Sequence, residues 1–258
     1  MDFGIEGKTA LVTGGSRGLG RQAALSLASE GVNVAICGRT QNMLDKTVAE
    51  IKATGASSIG ILADVSDPNS IEPLHQQVVE KFGPIDILFN NVGGTRSKTD
   101  IGELSLEDFK AGFEINLFGG FQLMTLVIPH MRTQNWGRII NNASIWGREY
   151  GGNISYMSAK AALIGATKHA ALTLAKDGIL VNSIAPGSIS HSLGSWEKFQ
   201  KENPSHVVKE FISNNLPMGK FGWAEPVGDL VAFLASNRAG MITGACIVVD
   251  GGQSHSMI

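Results

Sequence analysis

The residues best suited to chemistry in this sequence are a tyrosine and a lysine four positions apart, Tyr156 and Lys160. On a helix, this spacing places two side chains next to each other on one face. A free tyrosine has a pKa near ~10, and a neighbouring ammonium favours the phenolate and lowers that pKa. Alone, the pair could be incidental on an exposed helix. Ser144, twelve residues upstream at a predicted strand end, favours a proton-transfer site instead.

A glycine-rich segment near the N-terminus predicts a phosphate-binding turn. It reads Thr13-Gly14-Gly15-Ser16-Arg17-Gly18-Leu19-Gly20, after the first apolar run and before a helical pattern. Glycines let a backbone approach a pyrophosphate closely, and a helix N-terminus offers unpaired N–H groups and a positive dipole end. The glycines could form only a tight connection, but their place after the first strand favours a dinucleotide site.

The elements that must position these residues alternate between short apolar runs and longer helical patterns. Continuous apolar strands between helices predict a parallel sheet covered on both faces. We therefore expect one Rossmann-like, doubly wound α/β domain over residues 1–258, with about seven parallel strands. The predicted strands are Thr9–Thr13, Val32–Cys37, Ile59–Ala63, Ile85–Asn90, Arg138–Asn142, Ile179–Ile184 and Cys246–Val249. The predicted helices cover about 18–30, 41–54, 68–82, 105–132, 154–176 and 225–236.

One segment interrupts this alternation. Residues 186–224 contain three prolines, several glycines and two short amphipathic pieces, around Ser195–Glu202 and Ser205–Asn214. An excursion of this length is usually a functional lid or binding loop. It follows the C-terminal end of a predicted strand, where α/β sheets bind ligands. We predict a substrate-binding loop over about 186–224.

Composition excludes several classes of function. Apolar residues make up 43% and charged residues 17% of the chain, which provides for a sizeable core. The net charge is −2, so the chain lacks the excess of basic residues that is typical of nucleic-acid-binding proteins. No cluster of histidines and cysteines has the spacing of metal ligands. The N-terminus has no signal-peptide pattern, and the apolar stretch 155–181 carries three lysines, so we expect a cytoplasmic protein without a membrane span.

Together these motifs resemble those of the short-chain dehydrogenase/reductase family, from about residue 5 to Gly252. The resemblance implies hydride transfer between a nicotinamide cofactor and an alcohol/carbonyl pair on a small molecule. Family members are commonly homotetramers, which implies the same assembly here. Besides the Thr-Gly-x-x-x-Gly-x-Gly turn, the matching motifs are Asn90-Asn-Val-Gly93, Asn116, Ser144, Tyr156-Met-Ser-Ala-Lys160 and Pro186-Gly187.

The resemblance implies a role for each member of a catalytic tetrad. In reduction, Tyr156 protonates the developing alkoxide while hydride arrives from C4 of the nicotinamide. Ser144 holds the carbonyl oxygen by a hydrogen bond. Lys160 lowers the pKa of the tyrosine and bonds the nicotinamide ribose. Asn116 holds a water that completes a proton relay to Lys160.

The end of the second predicted strand indicates which cofactor is used. An acidic residue about 20 positions beyond the glycines accepts the ribose hydroxyls of NAD. Here the sequence is Cys37-Gly38-Arg39-Thr40, without a carboxylate. The planar guanidinium of Arg39 can donate two parallel hydrogen bonds to a 2′-phosphate, and Arg17 projects toward the same region. The two cations favour NADP over NAD, although both could be solvated surface arginines.

Further cofactor contacts follow from the resemblance. Asp64 accepts a hydrogen bond from the adenine amino group, or is only a turn residue, while Asn90 is expected to brace the sheet. The turn Pro186–Ile189 contacts the nicotinamide carboxamide. The expected cofactor-binding residues are Gly14, Ser16, Arg17, Gly18, Leu19, Gly20, Arg39, Asp64, Val65, Asn91, Gly93, Tyr156, Lys160, Pro186, Gly187 and Ile189.

The substrate side departs from the family at His191, where many relatives have threonine five positions after the proline. Ser190 could supply the carboxamide contact, and His191 could face the substrate or only solvent. Trp196 could line an apolar pocket or pack the lid, and the available cations are Arg96 and Arg148. The expected substrate-binding residues are Ser144, Trp146, Tyr150, Tyr156, His191 and Trp196.

Several functions remain open. The leading one is NADPH-linked carbonyl reduction of the 3-oxoacyl-thioester reductase type. The alternatives are an NAD-linked alcohol, sugar or steroid dehydrogenase and a catalytically silent nucleotide-binding sensor, which we would expect to have lost Tyr156 or Lys160. Enoyl reduction resembles a family branch with a wider tyrosine-to-lysine spacing, which this chain lacks.

Overall fold

The computed structural model describes residues 2–95 and 101–257. Its centre is a seven-stranded sheet in the order β3-β2-β1-β4-β5-β6-β7, and every neighbouring pair is parallel. The predicted doubly wound α/β architecture is confirmed. The strands are β1 Thr9–Thr13, β2 Asn33–Gly38, β3 Ser58–Leu62, β4 Ile87–Asn90, β5 Gly137–Asn142, β6 Ile179–Pro186 and β7 Cys246–Val249.

Helices cover both faces of the sheet because alternate side chains of each strand enter different cores. Val12 packs with the helices α1, α2 and α9, whereas its neighbour Leu11 packs with α3, α5 and α6. The helices are α1 Gly18–Ser29, α2 Gln41–Ala53, α3 Pro68–Phe82, α4 Leu106–Phe113, α5 Gly119–Gln134, α6 Ile154–Leu174, α7 Ser195–Glu202, α8 Ser205–Asn215 and α9 Glu225–Ala235.

The element boundaries differ from the predicted ones by at most two residues, with one exception. The single helix predicted over 105–132 is divided by a π-helical turn, Glu114–Phe118, between α4 and α5. The side chain of Asn116 in this turn donates to the carbonyl oxygen of Gly112 at 2.8 Å, within the helix itself. A side chain that enters the backbone ladder widens the turn, and such turns are frequent at functional sites.

The segment between β6 and α9 contains α7 and α8, which form a lid with its own small core. The ring of Trp196 lies 4.9 Å from Phe211 and 5.4 Å from Phe221, centroid to centroid, and Phe199 joins the same cluster. A β-bridge between Ile189 and Gly222 closes the base of the lid. The lid therefore has packing of its own at the carboxyl end of the sheet.

The segment Leu106–Gln134 is long and apolar enough to cross a membrane by length and composition alone. Core helices of soluble proteins meet the same criterion, so this is weak evidence for a membrane span. Its α5 part packs against α3, and α4 packs against α6.

Candidate active site

A cleft of about 700 Å³ opens at the carboxyl ends of the strands. Strand order reverses between β1 and β4, and α/β sheets bind ligands at such a switch point. The cleft brings most of the predicted cofactor and catalytic residues together. The predicted site residues that line it are Gly14, Ser16, Arg17, Leu19, Arg39, Asp64, Val65, Asn91, Gly93, Ser144, Trp146, Tyr156, Lys160, Pro186, Gly187, Ile189, His191 and Trp196.

Helix α6 presents the tyrosine and lysine to the cleft. Asn153 caps its first turn, because its side-chain oxygen accepts from the backbone N–H groups of Ser155 at 3.0 Å and Tyr156 at 3.3 Å. Lys160 lies one turn further on, with Nζ 5.6 Å from the centroid of the Tyr156 ring. This Nζ donates to the carbonyl oxygen of Asn142, the last residue of β5, at 2.5 Å. The helix and the strand end together fix the position of the pair.

The electrostatics of the pair differ from the expectation that Lys160 lowers the pKa of Tyr156. Desolvation raises the pKa of Tyr156 above its usual value, while a hydrogen bond with Ser144 lowers it by less. Lys160 is only 2% exposed, and burial lowers its pKa from 10.5 to about 7. Because burial penalises both charged forms, the ammonium does not overcome the desolvation of the phenolate in the free protein. The tyrosine is therefore a neutral phenol in the free protein.

Asn116 acts as a clamp on the chain that follows β4. Its amide nitrogen donates to the carbonyl oxygens of Gly94 at 2.9 Å and Gly112 at 2.8 Å, and its oxygen accepts from the N–H of Gly94 at 3.0 Å. Gly93 lies between this side chain and Lys160, since a Cβ there would be 2.8 Å from Asn116 Oδ1 and 2.9 Å from Lys160 Nζ. Asn116 lines a separate cavity of about 10 Å³, close to the size of one water.

The glycine-rich turn has the form that a dinucleotide phosphate needs. Gly14 and Gly18 adopt left-handed backbone, with φ of 62° and 56°. Gly20 has no room for a side chain against the carbonyl oxygen of Gly14. Helix α1 begins at Gly18, and Arg17 before it makes no side-chain capping hydrogen bond, which leaves the first helical N–H groups available to a phosphate. The turn therefore fits the phosphates of a dinucleotide.

The two arginines expected to meet at a 2′-phosphate have different partners. Arg39, 60% exposed, pairs with Asp64 at 3.6 Å between Nη1 and Oδ2. Asp64 also accepts from the backbone N–H of Ser66 at 3.0 Å, as a turn residue does. The guanidinium of Arg17 donates to the carbonyl oxygen of Leu193 at the start of the lid. Both arginines line the cleft, and in the free protein each is engaged by a different partner.

The turn after β6 is held by a residue that sequence reasoning did not identify. Gln253 accepts from the backbone N–H of Ser188 at 2.7 Å and donates to the hydroxyl oxygen of the same serine at 2.9 Å. The chain after β7 thereby braces Pro186 and Gly187. No local signal marks this contact, because it joins residues 65 positions apart.

Of the predicted substrate residues, all except Tyr150 line the cleft. Trp146 contacts the ring of Tyr156 edge-on at 6.3 Å between centroids, and Trp196 both lines the cleft and packs the lid. Tyr150 is 93% exposed and does not line the cleft. The imidazole of His191 lies against Gly18 of the glycine-rich turn.

The two cations considered for the substrate side contribute little to the described site. Arg148 points to the sheet, where Nη1 donates to the carbonyl oxygen of Cys246 at 2.8 Å. Arg96 lies outside the described residues.

Within residues 2–95 and 101–257, no group of three or more His, Cys, Asp or Glu residues could hold a metal ion.

Comparison with known proteins agrees with this geometry. Residues 14–254 match a family model described as "Enoyl-(Acyl carrier protein) reductase". The chain is similar to the 3-oxoacyl-[acyl-carrier-protein] reductase FabG of Staphylococcus aureus, with 38% identity over 248 residues, which are 95% of this chain and 98% of the relative.

Solved structures extend the comparison. L-Sorbose reductase of Gluconobacter frateurii in complex with NADPH and L-sorbose superposes with a TM-score of 0.92, 29% identity and full coverage, 100%, of both chains. A 7α-hydroxysteroid dehydrogenase in complex with NADH and 7-oxo glycochenodeoxycholic acid superposes with a TM-score of 0.89 and 26% identity, over 100% of this chain and 98% of the other.

Proposed function

This chain belongs to the short-chain dehydrogenase/reductase family of NAD(P)-dependent oxidoreductases, and we propose that it uses NADPH to reduce a carbonyl to a secondary alcohol. One observation carries the proposal. The same cleft has a glycine-rich turn suited to a dinucleotide at one end and the Tyr156–Lys160 pair at the other. We assign catalysis to the tetrad Asn116, Ser144, Tyr156 and Lys160.

Each member of the tetrad has a role that its surroundings support. When bound, the cofactor supplies a hydride to the carbonyl carbon. The hydroxyl of Ser144 donates a hydrogen bond to the carbonyl oxygen, and Tyr156 Oη donates the proton that the developing alkoxide takes up. Lys160 holds the cofactor ribose and passes a proton toward Tyr156. Asn116 holds the backbone of Gly94, next to Gly93 at Lys160, in place. It would also order a relay water.

The pKa direction of Tyr156 fits the role of a proton donor in reduction. A tyrosine whose pKa is raised by desolvation stays protonated through the neutral range, so it begins a reductive cycle as an acid. Lys160, with a pKa of about 7, can give and regain a proton at neutral pH.

The cofactor preference rests on the adenosine end of the cleft. Strand β2 ends at Gly38 and is followed by Arg39, so there is a cation where a carboxylate would accept ribose hydroxyls. The sorbose reductase complex contains NADPH, and the hydroxysteroid dehydrogenase complex contains NADH. The Arg39–Asp64 pair supports the second candidate, an NAD-linked dehydrogenase, because it already engages the guanidinium.

Arg39→Asp is expected to reverse the cofactor preference. The substitution removes the fork to the 2′-phosphate and places a carboxylate where it repels that phosphate and accepts ribose hydroxyls. We expect the ratio of kcat/KM for NADPH to that for NADH to fall by about tenfold or more. Arg21→Asp is the matched control, since Arg21 pairs with Glu50 and does not line the cleft. An unchanged ratio in Arg39→Asp would contradict the NADP assignment.

The substrate is tested by a panel of carbonyl compounds. We expect a 3-oxoacyl thioester to be reduced, with the loop 186–224 and the pair Trp146 and Trp196 around its chain. The panel also includes sugar ketones, keto-steroids and enoyl thioesters, each with NADPH and with NADH, followed by the absorbance of the reduced cofactor. Oxidation of alcohols with NAD alone would favour the second candidate. Cofactor binding without turnover of any compound would favour a nucleotide-binding sensor.

The proposal includes a cytoplasmic homotetramer formed through the long helices and the C-terminal segment. Large apolar side chains stand exposed on the π-helical turn, on α5 and on α6, namely Phe118, Phe121 and Leu172. A second copy would bury them, as exposed apolar patches commonly mark interfaces. Sedimentation equilibrium is expected to give four times the chain mass, and a monomer would contradict the assembly.

A further inference from the structure

His191 lies at the glycine-rich turn, where the dinucleotide phosphates would bind. A Cβ built on Gly18 would be 2.7 Å from Cε1 of the imidazole, and one built on Gly194 would also be 2.7 Å from this atom. The ring is therefore held between the first residue of α1 and the start of the lid. A phosphate bound at the N–H groups that begin α1 would therefore lie beside the ring.

The hydrogen bond at Nδ1 determines which nitrogen of His191 is available. Nδ1 lies 3.0 Å from the carbonyl oxygen of Ser192, and a carbonyl can only accept. Nδ1 must therefore carry a proton to make this bond. In the neutral ring, Nε2 is then an acceptor, which an anionic phosphate would repel. Nε2 becomes a donor only when the ring takes up a second proton.

The charges around the ring come from the glycine-rich turn and from α7. Arg17 on the turn bonds the carbonyl oxygen of Leu193, and Glu197 on α7 accepts from the N–H of Leu193 at 2.8 Å. This N–H and Lys201, 3.0 Å from Glu197, hold the pKa of Glu197 below its usual range, so it stays ionised. Lys198 is directed to Glu202. Glu197 and Arg17 thus bring one negative and one positive charge to this loop.

We propose that His191 binds the cofactor diphosphate through Nε2 as an imidazolium, so that cofactor binding takes up a proton. This inference rests on the proposed NADP cleft and assigns His191 to the cofactor rather than to the substrate. It also gives the lid a direct link to the cofactor, because His191 precedes Leu193 and Gly194 at the start of the lid. The hydroxyl of a threonine at this place, as in many relatives, could donate a hydrogen bond without any change in protonation.

The test is calorimetric titration of NADP into the wild-type protein, His191→Gln and His191→Phe, in buffers of different ionisation enthalpy, at about pH 6.5 and about pH 8.5. Phenylalanine keeps a flat ring between the two glycines without a donor, and glutamine keeps a neutral donor. We expect the wild type to take up more protons on binding, and to gain more affinity at the lower pH, than His191→Gln or His191→Phe. At that pH, His191→Phe is expected to bind NADP about tenfold more weakly, as for a lost charge-assisted hydrogen bond.

The controls separate this proposal from its alternatives. His206→Gln, on the exposed part of α8, should behave as the wild type, and any proton linkage of the 2′-phosphate itself is common to all variants. Equal affinity and proton uptake in His191→Phe would overturn the proposal. So would a change in the KM of the carbonyl substrate with unchanged NADP binding, which would place His191 on the substrate. If the wild type bound neither NADP nor NAD, the proposed function itself would fail.

Discussion

Tyr156→Phe is expected to lower kcat by roughly 10²–10⁴-fold, the range for loss of a general acid, while the dissociation constant of NADP stays nearly unchanged. The substitution removes only the hydroxyl that donates the proton. The ring remains, and with it the edge-on contact to Trp146 at 6.3 Å between centroids. The glycine-rich turn, which would hold the phosphates, is not altered. An assay of turnover measures the first effect, and calorimetry of NADP binding measures the second.

The other tyrosine in the chain provides the matched variant. Tyr150→Phe removes the same atom from a side chain that is 93% exposed and outside the cleft. We expect its kcat to be retained, and a change confined to KM would report the substrate contact expected from the sequence. Substantial turnover in Tyr156→Phe would refute the role of Tyr156 as the acid.

Lys160→Met is expected to reduce kcat by about 10²-fold or more and to increase the free energy of unfolding at neutral pH. The loss of activity follows because the ammonium no longer holds the ribose or supplies Tyr156 with a proton. The gain in stability follows because Lys160 is buried and its pKa falls to about 7 in the folded protein. Methionine fills a similar volume without a charge to desolvate. It leaves the Asn142 carbonyl oxygen without the Nζ donor, at a cost of about 1 kcal/mol.

The pH dependence of the stability has a definite sign. In the unfolded chain a lysine has a pKa near ~10.4, so the folded protein holds its proton less firmly. Below about pH 7 the wild type carries the full cost of burying the ammonium. As the pH rises from about 7 toward ~10.4 this cost shrinks to zero, because both states lose the charge. The stability advantage of Lys160→Met is therefore largest at neutral and acidic pH, a few kcal/mol at most, and disappears in alkali.

Urea unfolding at several pH values measures this advantage, and Lys168→Met on the same helix is the control. Lys168 is exposed, and its Nζ donates to the carbonyl oxygen of Gly244 at 3.2 Å. We expect neither loss of turnover nor a pH-dependent gain in stability there. If Lys160→Met were less stable than the wild type at every pH, burial would not be penalising the ammonium. Retained turnover would remove Lys160 from the catalytic machinery.

Much of the fold was predictable because its signals are local. The sheet follows from short apolar runs separated by helical patterns, and β1 and β7 have their predicted bounds. The prediction of one continuous helix over 105–132 was wrong. Its π-helical turn accommodates the side chain of Asn116, which also clamps Gly94 from another part of the chain. A periodicity in the helix itself contains no information about that partner.

The candidate site was predictable as a set of residues but not as a set of interactions. The four-residue spacing of Tyr156 and Lys160 correctly indicated a shared helix face. The same spacing suggested a lowered tyrosine pKa, whereas desolvation raises it in the free protein. Burial depends on everything that packs around a side chain, so spacing along one helix cannot specify it.

The sequence by itself determined the order of strands and helices along the chain, the glycine-rich turn and the shared helix face of Tyr156 and Lys160. These depend on residues within a few positions of each other, through backbone conformation and helix or strand periodicity. Only the tertiary structure placed His191 against Gly18, Gln253 against Ser188 and Arg17 against Leu193. Those partners are 65 to 176 positions apart, and which side chains meet over such distances is decided by how the packed elements bring their loops together.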